Sequence, residues 1–258
     1  MDLELSADEQ ALQDGVRRLC EGRFPMATVR ALASQAGVDR ALWRELADAG
    51  VFSLRADGMG ATDAVLVFDA DGVRLVERGA LDGVPVPRPL DPLTPLHRVE
   101  SLPRGEAVGG ADVAAQLQLD GAALVAASLL GIAEAVTDMA VAYAKQREQF
   151  GRPIGSFQAV KHLLADMLTR TEVARAAVYA AGVTLDDPGV GDPARAVAAA
   201  KLIAGEAAFV NGKACIQVHG GMGFTWEVDA HLYLKRAWVL DAAFGSVDDH
   251  ALAIADRL

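Results

Sequence analysis

Apolar positions recur at helical spacing along most of the chain and alternate at strand spacing in one short middle stretch. Leu12, Val16 and Leu19 repeat through residues 5–21. Ser6 followed by Glu9 forms a capping-box pattern there, with Leu5 before it, so a helix is expected that ends at Phe24-Pro25. A second helix is expected over 29–36. A third should run from Asp39 as N-cap to Gly50, carrying Leu42, Trp43 and Leu46.

The pattern changes at about Phe52. Residues 55–62 are glycine-rich and polar, and 64–68 read as a buried-strand run. Residues 69–72 form a turn, and 73–76 alternate as a returning strand. Prolines crowd 85–95, which is therefore extended and excluded from a central strand. Residues 97–100 are expected to close a small sheet.

From about Asp112 onward the reading is helical. Residues 113–150 suit one long helix, or two broken near Gly121, with Leu124, Ser128, Ala135, Met139 and Tyr143 on one face. Residues 157–184 form the next, with Val160, Leu164, Met167 and Leu168 apolar. After a linker at 186–193 come helices over 194–218, with Leu202, Phe209 and Ile216 spaced for a core, and over 231–256. Four long amphipathic helices with short connections predict an antiparallel bundle.

Composition narrows the function classes. The net charge of -11 disfavours a nucleic-acid surface or an anionic membrane surface. Cys20 and Cys215 each lie inside an apolar helical pattern and read as buried thiols of a reducing compartment. Met1 is followed by Asp2 and Glu4, unlike a signal peptide, and no apolar run is read as membrane-spanning. The expectation is a cytoplasmic protein with no membrane partner.

Two stretches carry candidate chemistry. Residues 215–226, C-I-Q-V-H-G-G-M-G-F-T-W, end a helical run on Gly220, Gly221 and Gly223, which let backbone turn sharply and approach a ligand. Residues 147–158 read R-E-Q-F-G-R-P-I-G-S-F-Q. Taken singly, each member has an ordinary reading. Arg147 is a solvated charge at a helix C-terminus, and Gly220-Gly221 is a helix stop. Phe150, Phe157 and Trp226 are core, Gln158 and Gln217 are helix surface, and His219 is a structural residue of the turn.

Taken together, in this order and spacing, the two stretches resemble the acyl-CoA dehydrogenase family, most strongly across 124–236. The opening L-S-A-D-E-Q-A-L-Q-D-G-V-R-R-L is similar to the family's first helix. The resemblance implies a mainly α fold: an N-terminal helical segment (1–54), a reduced β domain (55–110) and a C-terminal four-helix bundle (111–258). It implies α,β-dehydrogenation of an acyl-CoA, in which a carboxylate takes the α-proton and hydride passes to FAD. In the family the FAD spans a subunit interface. The residues that match the neighbour-donated set, holding adenine and diphosphate, are Arg147, Phe150, Gln158, Gln217, Val218, His219, Gly220 and Gly221. A guanidinium and carboxamides suit diphosphate oxygens, and glycines admit backbone N–H donors.

Two departures from the family matter. Between Leu54 and Ala64, where the family carries the rest of its helical domain and the opening of its β domain, only R-A-D-G-M-G-A-T-D stands. The segment facing the flavin ring and thioester is thus missing, and 64–108 resemble only the closing part of that domain. The usual glutamate is also replaced: Phe244, or Gly245 with a one-residue shift, stands there. The family's alternative position falls near Gly121, beside Asp120. Asp120, Asp241, Asp248 and Asp249 are the carboxylates left as substitutes, each read more readily as a surface or capping residue.

The resemblance therefore implies a non-catalytic subunit of an α2β2 acyl-CoA dehydrogenase acting on a bulky, steroid-type acyl-CoA. A second subunit would bear the glutamate and most of the acyl-CoA site, with an electron-transferring flavoprotein as acceptor. The alternatives are a self-sufficient homo-oligomeric flavin enzyme with an aspartate base, and a cofactor-free helical scaffold.

Overall fold

The structure, a computed structural model of the chain, describes residues 5–33, 41, 45–46, 64–69, 71–94 and 96–257. The chain divides into two compact units, 4–115 and 116–258.

In the first unit, α1 (Ala7–Arg23) starts as its pattern dictates: the Ser6 hydroxyl accepts from the Glu9 amide and the Glu9 carboxylate accepts from the Ser6 amide. No α1 residue is fully buried, and Cys20 is half-buried, so the expectation of a buried thiol fails there. Helix α2 (Met26–Ala33) starts a turn earlier than predicted. Pro25 lies just before its first residue, where its missing N–H costs nothing. The third predicted helix lies outside the described residues except at 41, 45 and 46, which are helical, and Arg23 forms a salt bridge to Glu45 there. The shortened stretch 55–63 also lies outside them.

Strands β1 (Ala64–Asp69) and β2 (Gly72–Glu77) pair antiparallel as predicted. The third strand of that sheet, β5 (Glu106–Gly109), pairs with β2 and was not foreseen. Gly72 takes φ 144°, and a Cβ there would lie 2.4 Å from the Gly109 carbonyl oxygen, so the sheet closes on a glycine. The predicted strand at 97–100 exists as β4 (His97–Val99), but it pairs with β3 (Gly83–Pro85) in a separate two-stranded sheet. Between them, buried Asp91 accepts from the Leu93 amide (2.9 Å) and the Thr94 hydroxyl (2.6 Å), folding the proline-rich stretch into a turn.

The second unit is helical. Helix α3 (Ala111–Gln146) runs unbroken through Gly121 and is followed by α4 (Gln158–Asp186) and α5 (Pro193–His219). The Asp192 carboxylate caps α5, accepting from the Ala194 and Arg195 amides, with Pro193 at the first helical position. The final predicted helix is two: α6 (Ala230–Asp241) and α7 (Val247–Ala255). Phe244 and Gly245 adopt left-handed backbone (φ 55° and 100°), which no helix continues, and Ser246 with Asp249 forms a new capping box. The bundle thus has α6 and α7 sharing the place of its predicted fourth helix, both packed on the central α5.

Alanines fill the core: Ala126, Ala133, Ala140, Ala174, Ala200, Ala204 and Ala208 are fully buried beside Leu129, Val136 and Met167. The core face of α3 is therefore 122-126-129-133-136-140-144; of the face read from the sequence, Met139 and Tyr143 pack against the core, whereas Leu124 is 70% exposed and Ser128 is exposed. Leu168 of α4 likewise faces out, while Val160 and Leu164 pack against the core. Helix α3 is also long and apolar enough to cross a membrane by length and composition, contrary to expectation, although half of its most apolar window is buried within the protein.

Candidate functional site

The site grows from two helix ends. Helix α3 finishes at Gln146, and the chain turns back through a two-residue hairpin, β6 (Glu148–Gln149) and β7 (Arg152–Pro153). Phe150 and Gly151 are its central residues, both left-handed (φ 55° and 75°), the backbone of a type I′ turn. Glycine holds this conformation easily; phenylalanine does so under strain, a feature that clusters at functional sites. The Phe150 ring is 92% exposed, touching Phe157 edge-on at 6.1 Å between centroids. The Ile154 amide donates to the Arg147 carbonyl (2.8 Å), closing the loop, and a Cβ on Gly155 would meet the Ala144 carbonyl oxygen at 2.9 Å. Gln158 then opens α4, whose N-cap, Phe157, offers no side-chain acceptor.

The other end is that of α5. Gly220 turns the chain at φ 61° into a short 3-10 segment, Gly220–Phe224. A Cβ on Gly223 would lie 2.5 Å from the Ile216 carbonyl oxygen, so only glycine lets the turn fold back on its helix. His219 is buried, and its Nδ1–H donates to the Cys215 carbonyl (2.8 Å). Its ring stacks on Tyr143 of α3 at 4.2 Å, which joins the two helix ends.

The predicted residues divide accordingly. The side chains of Arg147, Phe150, Gln158 and Gln217 are exposed, as are Gly220 and Gly221, whereas Val218 and His219 are buried. His219 is a structural residue of the turn, as its ordinary reading had it. Phe150 is not core, and neither is Trp226, which is 63% exposed with its edge on His231 (4.8 Å) and Lys235 Nζ 5.0 Å from its ring. The Cys215 thiol is buried, and burial pushes its pKa up to about 12, which leaves it inert. No His, Cys, Asp and Glu cluster suited to a metal ion occurs among the described residues.

Residues 109–258 match the family described as acyl-CoA dehydrogenase, C-terminal domain. The chain belongs to the acyl-CoA dehydrogenase family. It is 46% identical over 187 residues to the acyl-CoA dehydrogenase FadE34 of Mycobacterium tuberculosis, a match covering 69% of this chain and 25% of that protein. It is 47% identical over 116 residues to the acyl-CoA dehydrogenase IpdE2 of the same organism, covering 45% and 34%. The matched parts are thus about a quarter to a third of those relatives' lengths. A chain in the solved ChsE4-ChsE5 complex from Mycobacterium tuberculosis shares the fold, with a TM-score of 0.81, 21% identity, and 100% and 98% of the two chains covered.

Within this acyl-CoA dehydrogenase fold, the two positions at which the family's base was sought adjoin. A Cβ on Gly121 would lie 2.1 Å from Cε1 and 2.3 Å from Cδ1 of Phe244, so the Phe244 ring lies directly on the Gly121 backbone. The turn that carries Phe244 is held by Lys201, 1% exposed and missed in the sequence, whose Nζ donates to the carbonyls of Asp241 (2.8 Å) and Gly245 (3.2 Å). Of the four carboxylates read as substitutes, two are hydrogen-bonded: Asp120 accepts from Gln116 Nε2 (3.0 Å), and Asp249 caps α7. The Asp241 carboxylate packs against Gly205 of α5, where a Cβ would lie 2.8 Å from its Oδ1. Asp248 lies in the first turn of α7, where its charge suits the helix dipole.

Gly121→Ala would drive a methyl group into the Phe244 ring and is expected to cost about 1–3 kcal/mol, the usual cost of overpacking. Thermal melts of the single and double variants test this: most of the loss should vanish in a Phe244→Ala background, and simple additivity would refute the contact.

His250 Nε2–H donates to the Phe244 carbonyl (3.0 Å). Burial holds the His250 pKa below its ordinary value and the Lys201 charge adds to that, against the opposing pull of that hydrogen bond, Asp249 and Asp241. A group with a depressed basic pKa favours the folded state while neutral. Stability should therefore be steady above pH ~6.5 and fall as the pH drops from there toward the folded-state pKa, because the unfolded chain takes the proton first. His250→Gln should flatten melting temperature against pH between about 7.5 and 5.5. Equal slopes in both proteins would rule His250 out as the source.

Proposed function

We propose that this chain is a non-catalytic subunit of a hetero-oligomeric FAD-dependent acyl-CoA dehydrogenase, completing the cofactor site of a partner that carries the catalytic glutamate. The observation that carries the reading is the Phe244 ring lying on Gly121: one aromatic ring, with no acid–base chemistry, fills both positions at which the family's base was sought.

The opposite half of the chemistry is preserved. Arg147, Phe150, Gln158, Gln217 and the backbone of Gly220 and Gly221 are exposed around two helix ends joined by the Tyr143–His219 stack. Their donor set suits the adenine and diphosphate of FAD. Arg147 would pair with phosphate oxygens, the two carboxamides would donate to diphosphate or base edges, and the outturned Phe150 ring would lie against the planar adenine. Val218 and His219 would contribute through the backbone and by holding the turn. Bound FAD would accept the hydride removed from the acyl-CoA β-carbon, on the partner's side.

The bulky substrate is proposed as a steroid side-chain acyl-CoA, bound mainly by the partner in an α2β2 assembly of the cytoplasm, with an electron-transferring flavoprotein as acceptor. The ChsE4-ChsE5 complex is a two-protein assembly in which one chain shares this fold. A self-sufficient enzyme with an aspartate base is less well supported, because Asp120 and Asp249 are already engaged.

The test is acyl-CoA-dependent bleaching of the flavin. A co-purified pair of this chain and a glutamate-bearing relative should bleach, and should stop doing so when the partner's glutamate becomes glutamine. Bleaching by this chain alone would overturn the proposal.

A further inference from the structure

The hairpin that presents Phe150 is fastened by a side chain outside the predicted site. Phe150 and Gly151 are flanked by the pair Gln149↔Arg152. From the returning strand the Arg152 guanidinium lies over the Phe157 ring, 4.1 Å from its centroid, and among the described residues no carboxylate pairs with it. The Phe157 ring in turn receives Phe150 at 6.1 Å, nearly perpendicular (86°). Arg152, Phe157 and Phe150 therefore form a bracket from the hairpin to the N-terminus of α4, beside Gln158.

Phe150 needs such a bracket. Its left-handed backbone is strained, and its ring, almost wholly in solvent, has Phe157 as its one aromatic contact among the described residues. A phenyl ring held by one edge contact can leave its rotamer easily, and a planar ligand would then pay the entropy of ordering it. A cation on the Phe157 face limits motion of that ring and of the hairpin together.

We propose that Arg152 is a positioning residue, which acts through Phe157 to hold the exposed Phe150 ring ready for the adenine end of FAD. The proposal rests on the cofactor-completing function above. It assigns Arg152 a role distinct from that of Arg147: Arg152 touches an aromatic ring of its own chain, whereas Arg147 is free to meet phosphate.

The experiment measures FAD dissociation from the complex formed with the glutamate-bearing partner. Arg152→Ala should raise the dissociation constant about two- to five-fold, the range of an exposed cation–π contact. Arg152→Lys should restore binding because it keeps the cation, while Arg152→Met, of similar length but uncharged, should behave as alanine. In a Phe150→Ala background the Arg152→Ala change should have no further effect. Unchanged affinity in Arg152→Ala, wild-type affinity in Arg152→Met, or full additivity with Phe150→Ala would each overturn the positioning role. If Arg152→Ala is silent while Arg147→Ala weakens FAD binding, the positioning role alone fails. If Arg147→Ala is also silent, or the wild-type complex holds no FAD, the cofactor-completing function fails with it.

Discussion

Arg147→Ala is expected to weaken FAD binding by the proposed hetero-oligomeric complex by about 10- to 100-fold. A hydrogen bond to a charged group contributes about 1.5–3 kcal/mol, and about 1.4 kcal/mol corresponds to a factor of ten. The chain itself should be undisturbed, because the Arg147 side chain is exposed and its structural bonds are made by the backbone: its amide donates to Tyr143 and its carbonyl accepts from Ile154. Folding stability without cofactor should therefore stay within about 0.5 kcal/mol of wild type. Lys145→Ala, which removes the same charge from an exposed position in the last turn of α3, should leave FAD affinity nearly unchanged. Equal losses in both variants would mean that general electrostatics is at work, and no loss in either would remove Arg147 from the site.

The second large effect concerns the bundle. Asn211 of α5 is wholly buried where three helices meet. Its Nδ2 lies within bonding distance of the Met167 carbonyl (2.9 Å) and the hydroxyls of Thr171 (3.0 Å) and Thr137 (3.2 Å), and its Oδ1 accepts from Arg170 Nε (2.9 Å). One carboxamide thus ties α3, α4 and α5 into a single register. Asn211→Ala removes one hydrogen bond from each of these partners and leaves a void, so a cost of about 3 kcal/mol is expected. For a chain of this size that is a fall of about 6–12 °C in melting temperature. Thr169→Ala, which removes an exposed hydroxyl bonded to its own helix, should cost under about 0.5 kcal/mol. A fall of under about 2 °C for Asn211→Ala would show that the network is dispensable.

Asn211 also marks where sequence reading stopped. Positions 197, 201, 204, 208, 211 and 215 form one buried helical stripe of α5, and two of the six are Lys201 and Asn211. A polar residue on such a stripe is a visible signal, but in an alanine-rich helix the stripe itself is poorly marked. Leu202 and Phe209 attract attention by size, yet alanines occupy the close-packed face because they let helices approach. The same ambiguity holds in α3, whose conspicuous Leu124 points outward while Ala126, Ala133 and Ala140 are buried.

Local punctuation was more legible. The Ser6–Glu9 capping box and the glycine stop at Gly220 act within a few residues, and each stands where the pattern put it. The Asp192-Pro193 start of α5 carries a signal of the same kind, but it falls in the stretch read as a linker. Ser246 with Asp249 carries the same signal. It was overlooked because Ala242, Ala243 and Phe244 continue an apolar run, and the break between α6 and α7 depends on a phenylalanine in left-handed backbone. Strand β5 was missed for the opposite reason: Glu106–Gly109 is four residues without alternation, and its place is set by pairing with β2.

In the candidate site, spacing identified which residues to examine, but residue type misjudged their exposure. Phe150 and Trp226 are large apolar side chains that would ordinarily be buried, and both face solvent. Such exposure fits a surface completed by another molecule, with the glutamate-bearing subunit and its FAD as the proposed occupants.

The most direct test of that account is a flavin count. This chain would be co-expressed with a glutamate-bearing acyl-CoA dehydrogenase relative, the complex purified, and FAD measured per chain. The account predicts a complex of both proteins holding about one FAD for every two chains, and no flavin on this chain purified alone. This chain alone, carrying a full complement of FAD and reducing it with an acyl-CoA, would contradict it.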